Sequence, residues 1–131
     1  MPAGNVEIAR RILEGWASGD FAAGVAALAP HAVLVVSPDF AEWGVFVGED
    51  QIREYTLRFM EQYEQPVTIE PTGFREAGDT VLANVVQRGT GRASGLELTL
   101  DYFVLITFRG GRIVRMESIL DESEALDAAG L

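Results

Sequence analysis

The chain contains neither cysteine nor lysine, and its one histidine is His31. Without cysteine there is no disulfide, no thiolate nucleophile and no Cys-ligated zinc. Without lysine there is no Schiff-base amine and no phosphate-loop ammonium. A single histidine excludes a multi-histidine metal site and leaves one residue for any Ser-His-Asp arrangement. The 10 basic residues are all arginine and face 20 acidic ones, a net charge of −10. That field repels a phosphate backbone, and the arginines are scattered, so no nucleic-acid partner is expected. The first twenty residues carry Glu7, Arg10, Arg11 and Glu14 and lack an apolar run. Neither a signal peptide nor a spanning segment is expected, so the reading is no membrane and a cytoplasmic location. No metal and no cofactor are expected. The remaining acid–base chemistry belongs to Asp, Glu, Tyr and His31.

What is present is apolar residue in quantity. With 131 residues, 48% of them hydrophobic, the chain is long enough to close one core, and residues 1–131 read as a single domain. Asn5 is placed to cap a helix to about Ser18, whose stripe is Val6, Ile8, Ala9, Ile12, Leu13 and Trp16. Gly19-Asp20 breaks it, and Asp20 opens a short helix through Phe21, Val25 and Leu28 that stops near Pro30. Residues 32–36 read as an apolar strand, and 37–48 as an irregular crossing with Phe40, Trp43 and Phe46. A third helix opens at Glu49-Asp50 and shows Ile52, Tyr55, Phe59 and Tyr63 on one face. After Pro66 the period changes to two, which predicts strands at 67–76, 80–89, 96–109 and 112–120, with a last short helix ending at Gly130. Helices followed by a meander predict an α+β fold, one antiparallel sheet with helices on one face.

The 96–109 strand carries the architecture. One face reads Leu98, Leu100, Tyr102, Val104, Ile106 and Phe108; the other reads Glu97, Thr99, Asp101, Phe103, Leu105 and Thr107. The first face predicts the core side. The apolar centre of the second predicts a homodimer contact through Val86, Phe103 and Leu105. The turn at Gly110-Gly111 sets the register of the last strand. A two-residue turn pairs Phe108 with Ile113. A three-residue loop with a bulge pairs Phe108 with Arg112 and Val104 with Met116, and is preferred because it keeps Arg115 and Glu117 out of the core.

Gly19-Asp20-Phe21, Pro30-His31-Ala32-Val33, Gly48 before Gln51-Ile52-Arg53-Glu54-Tyr55, then Gly111-Arg112-Ile113-Val114 and Asp121 stand in an order that resembles the SnoaL-like branch of the nuclear-transport-factor-two-like superfamily. The ending Glu124–Leu131 resembles that of many bacterial members. The resemblance implies a cone: a curved antiparallel or mixed sheet wrapped around three N-terminal helices, the cystatin-like α+β barrel, with a short C-terminal helix and a pocket inside. Members of this superfamily include polyketide cyclases, ketosteroid isomerases, scytalone dehydratases and limonene epoxide hydrolases, and others only bind or dimerise.

Carried over position by position, the isomerase base falls on Ser37 before Pro38, its oxyanion tyrosine on Ile12 and its protonated acid near Val104, so those roles are lost. Tyr55 replaces a pocket phenylalanine. The epoxide hydrolase aspartate after an arginine meets Glu117-Ser118, and His31 is expected to face outward, away from dehydratase chemistry. The expected ligand-binding residues are Trp16, Val36, Trp43, Tyr55, Phe59, Val85, Gln87, Tyr102, Val104, Met116 and Ser118, an apolar lining with sparse polar tips. The same residues also fit plain core packing. Asp39 is the acid–base candidate, on the loop at the cavity mouth, where burial against Phe40 or Trp43 would raise its pKa; Tyr55 stands as its catalytic companion, and Glu42 shares the loop, while both carboxylates equally fit plain solvated loop residues. Two functions follow: a hydrophobic small-molecule site with cofactor-independent acid–base catalysis of the cyclase, isomerase, dehydratase or epoxide hydrolase type, or a non-catalytic ligand-binding or dimerisation module. Gly89–Gly95 leads from strand to strand, not into a helix, and is read as a hairpin loop instead of a phosphate loop.

Overall fold

In the computed structural model, which describes residues 4–131, three helices lie against one six-stranded sheet and a fourth closes its other side. The order is α1 (Asn5–Ala17), α2 (Ala22–Ala26), β1 (Leu28–Val36), β2 (Gly44–Val47), α3 (Gly48–Glu61), β3 (Tyr63–Ala77), β4 (Thr80–Gly91), β5 (Glu97–Arg109), β6 (Arg112–Ile119) and α4 (Glu122–Ala129). The strands run β2-β1-β6-β5-β4-β3 across the sheet; β1 and β6 are parallel and the other neighbours antiparallel. The sheet is curved and unclosed, and the α+β reading from periodicity holds, with one parallel pair added. No described helix is long and apolar enough to cross a membrane.

The helices form where apolar residues recur at helical spacing. In α1 the buried residues are Ala9, Ile12, Leu13 and Trp16, a single stripe that packs against β3 and β4. Its N-cap is Gly4, with no side-chain cap, so Asn5 lies inside the first turn. Asp20 does serve the start of α2: its Oδ1 accepts from the Ala22 N–H at 3.0 Å. At the far end Asp121 caps α4 through Glu124 N, and Gly130, at φ 75°, ends it in the left-handed conformation.

Three elements differ from expectation. The second helix ends at Ala26 and β1 already begins at Leu28, where the sequence reading continues the helix to near Pro30. The segment read as an irregular crossing contains β2, which pairs with β1 over Val33–Val36. Alternation there turns Phe46 inward and Val45 and Val47 outward. Residue Trp43 has the same parity as Val45 and is 65% exposed. The third helix stops at Glu61, and Tyr63 opens β3 instead of completing a helical face.

The β5–β6 register satisfies the physical demand by a different device. Gly110 and Gly111 both have positive φ, 58° and 77°, and form a two-residue turn that pairs Phe108 with Ile113. The register then shifts between Phe108 and Thr107, leaving Val114 as the extra residue, so that Ile106 meets Met116 and Val104 meets Ser118. The expected three-residue loop and its Val104–Met116 pair are therefore replaced by a tight turn followed by a bulge. The outcome for the side chains is the wanted one. Ile113 and Met116 face the core, and Arg115 pairs with Glu117 at 2.6 Å on the outer face.

The outer face is not bare. Leu82, Leu105 and Ile119 are buried beneath Ala125 and Ala129 of α4, with Phe103 and Leu126 packed alongside. Leu105, at 4% exposure, is thus covered by the chain's own helix and is withdrawn from the expected subunit contact. Val86 and Phe103 remain half-buried.

Candidate functional site

On the concave side, between the sheet and the helices, lies a cavity of about 270 Å³. Its floor comes from alternate residues of the strands: Leu34 and Val36 on β1, Gln87 on β4, Leu100, Tyr102 and Val104 on β5, Met116 and Ser118 on β6. The helices supply Trp16 from α1 and Ile52, Tyr55, Thr56 and Phe59 from α3, while Phe21 precedes α2. Among the described residues, the only exposed ones in the lining are Asp39 and Ala41, so the cavity meets solvent along the 37–43 loop.

The aromatic wall is continuous. Ring centroids run Trp16–Phe21 at 5.9 Å, Phe21–Phe59 at 5.9 Å, Phe59–Tyr63 at 5.4 Å and Phe59–Tyr55 at 6.5 Å. Two glycines make room for it. A Cβ on Gly24 would fall 3.1 Å from Trp16 Nε1, and one on Gly89 would fall 2.9 Å from the Tyr63 ring. Gly89 therefore serves the cavity wall, as the flat ground on which a phenol lies. The Trp16 indole N–H is buried without a hydrogen-bond partner among the described residues.

The polar end is a relay of three side chains. The Tyr102 hydroxyl donates to Gln87 Oε1 at 2.8 Å, and Gln87 Nε2 donates to the Tyr63 hydroxyl at 3.1 Å. Tyr63 accepts within the relay, so its own proton is free to be given to a guest. Burial raises the pKa of all three tyrosines, most strongly Tyr102 and Tyr55, and the Glu42 carboxylate reinforces the rise for Tyr55 and Tyr63. They are neutral donors through the physiological range. Tyr102→Phe is expected to lose about 1–3 kcal/mol of stability by stranding Gln87 Oε1, read as a lower urea midpoint.

Asp39 and Glu42 both line the mouth, but differently. Asp39 is exposed, and its carboxylate accepts from Ser37 Oγ at 3.3 Å. Glu42 is half-buried, and desolvation raises its pKa, with Gln62 and Arg58 pulling the other way. At the mouth, Glu42 is thus the carboxyl group with a perturbed environment.

Of the expected ligand-binding residues, Trp16, Val36, Tyr55, Phe59, Gln87, Tyr102, Val104, Met116 and Ser118 come together around the cavity. Trp43 does not, because the phase of β2 turns it to solvent. Val85 does not either: it is 2% exposed and belongs to the packed core. His31 is exposed, as expected. The lining residues absent from the expected set include Tyr63, placed on a helix face, Phe21, Ile69, Leu34, Ile52 and Leu100. An earlier strand start, before Pro66, was the signal that would have found Tyr63.

A family model described as the SnoaL-like domain matches residues 9–116. The chain belongs to the SnoaL-like domain family. Solved structures share this SnoaL-like fold at low identity. A cystatin-like-fold protein of unknown function from Xanthomonas campestris is 18% identical, covers 97% of this chain and 98% of its own, and superposes with a TM-score of 0.80. A SnoaL-like polyketide cyclase, so described provisionally, from Jannaschia sp. CCS1 is 13% identical over 98% of this chain and 96% of its own, with a TM-score of 0.76. A ketosteroid isomerase-like-fold protein from Catenulispora acidiphila, solved in complex with trimethylamine, is 22% identical over 95% of this chain and 93% of its own, with a TM-score of 0.75. No curated protein matches the chain.

Proposed function

We propose that this SnoaL-like protein binds a hydrophobic small molecule in the cavity between sheet and helices. The observation that carries the reading is the lining itself: a continuous aromatic and aliphatic wall, closed at one end by an ordered Tyr102–Gln87–Tyr63 relay. An apolar concavity with a few convergent polar groups is the usual form of a ligand site. At about 270 Å³ the space suits a guest of one or two rings.

A neutral fluorescent probe tests this. N-phenyl-1-naphthylamine is expected to brighten on titration into the wild type, and Val104→Phe, which fills the cavity from the β5 floor, is expected to suppress most of the gain. Brightening that is unchanged in Val104→Phe would assign the probe to the exposed Trp43–Val45 surface and sink the reading.

Glu42 favours a catalytic extension. A half-buried carboxylate with a raised pKa at the mouth, beside the neutral phenols of Tyr55 and Tyr63, is the pairing that cofactor-independent acid–base chemistry requires. In this reading Glu42 takes the role the sequence suggested for Asp39. If turnover of an apolar ketone or epoxide is found, Glu42→Gln is expected to lower it about 100-fold or more, and Asp39→Asn to leave it within a few-fold of wild type.

A further inference from the structure

We propose that the guest is an organic cation: a quaternary ammonium group, bearing no N–H, on a small apolar body. The proposal rests on the hydrophobic-guest reading above and adds the charge. Among the described residues two lining side chains carry charge, Asp39 and Glu42, and both are acidic; none of the lining is arginine or histidine. Behind them stand the linked rings of Trp16, Phe21, Phe59 and Tyr63, whose faces attract a cation electrostatically. The net charge of −10 draws cations toward the mouth before contact. An anionic guest would meet two carboxylates and no compensating charge.

The hydrogen-bond pattern selects among cations. Gln87 Oε1 already accepts from Tyr102, and Thr56 donates its hydroxyl to the Ile52 carbonyl. Past the two mouth carboxylates, against the aromatic wall, a primary ammonium, which must satisfy three N–H donors, would lose its water for few acceptors. A quaternary ammonium has no donors to satisfy, and aromatic surfaces hold it well. Arg58, the cation acting on Glu42, is exposed, pairs with Glu54 at 3.4 Å and lies 5.9 Å from the Phe46 ring centroid. It is therefore engaged outside the cavity and does not occupy the guest's place.

The test compares two isosteres by equilibrium dialysis against the full chain, at neutral pH and low salt. Benzyltrimethylammonium and neopentylbenzene differ by a nitrogen cation in place of a carbon. The cation is expected to bind about tenfold more tightly. The ratio is expected to fall toward one when Glu42→Gln and Asp39→Asn are combined. Equal or tighter binding of neopentylbenzene overturns the cation proposal and leaves the hydrophobic-guest reading standing. Failure of both to bind overturns both. A cation preference that survives undiminished in the double variant places the ammonium elsewhere and overturns the proposal as well.

Discussion

Raising the pH above 10 is expected to unfold this protein steeply. All three of its tyrosines line the cavity, and the pKa of Tyr55 and Tyr102 is raised well above the ordinary 10.0 by burial. The sign follows from linkage. Between the unfolded value and the raised folded value, the folded state holds more protons than the unfolded one, so stability falls as pH rises. The stabilisation is fully present below pH 10 and is lost progressively above it. Each such group contributes a slope of about 1.4 kcal/mol per pH unit, so Tyr55 and Tyr102 together give about 2.7. The chain has no lysine to titrate in the same window, and arginine stays charged. Urea midpoints measured from pH 9 to pH 12 check this, and Tyr102→Phe is expected to remove about half of the slope. A flat profile across that range would show that the phenols are solvated, and would remove the dry cavity with them.

Leu105→Ala is expected to cost about 2–5 kcal/mol, the ordinary range for emptying a buried leucine site. Leu105 is 4% exposed, enclosed with Leu82 and Ile119 beneath Ala125 and Ala129. Because the cover is the chain's own α4, the loss is expected to be independent of protein concentration. A subunit interface at Leu105 would behave differently: its stability would rise with concentration by mass action. Thermal unfolding of wild type and variant at widely separated concentrations distinguishes the two. A loss below 1 kcal/mol, or a strong concentration dependence, would mean that α4 does not hold this face.

How far the fold was legible depends on which forces act locally. The period-two alternation of Tyr102, Val104, Ile106 and Phe108 shows the core face without any knowledge of neighbours, since each side chain is sorted by its own strand. The register of β6 was harder, because it depends on where one extra residue is absorbed. Two glycines permit either a turn or a bulged loop, and the chain resolves the choice by placing the bulge at Val114, further along. Within the site, most of the residues expected from long regular elements lie around the cavity, and Val85 of β4 does not. Trp43 failed because a four-residue strand was hidden in a stretch rich in glycine and aromatics, and its phase alone decides which way the indole points. The acids were hard to separate for another reason. Asp39 and Glu42 share one loop and one chemistry, and only the packing of the loop over the cavity separates an exposed carboxylate from a half-buried one.

The confinement of every phenol to the lining of one cavity makes the chain its own indicator. In a difference spectrum recorded on this protein every tyrosine band arises at the cavity, and the exposed Trp43 gives the outer-surface contribution to subtract. Any change in the tyrosine bands, whether from an arriving molecule or from a substitution in the surrounding shell, reports on the interior space directly, without a dye or an attached label.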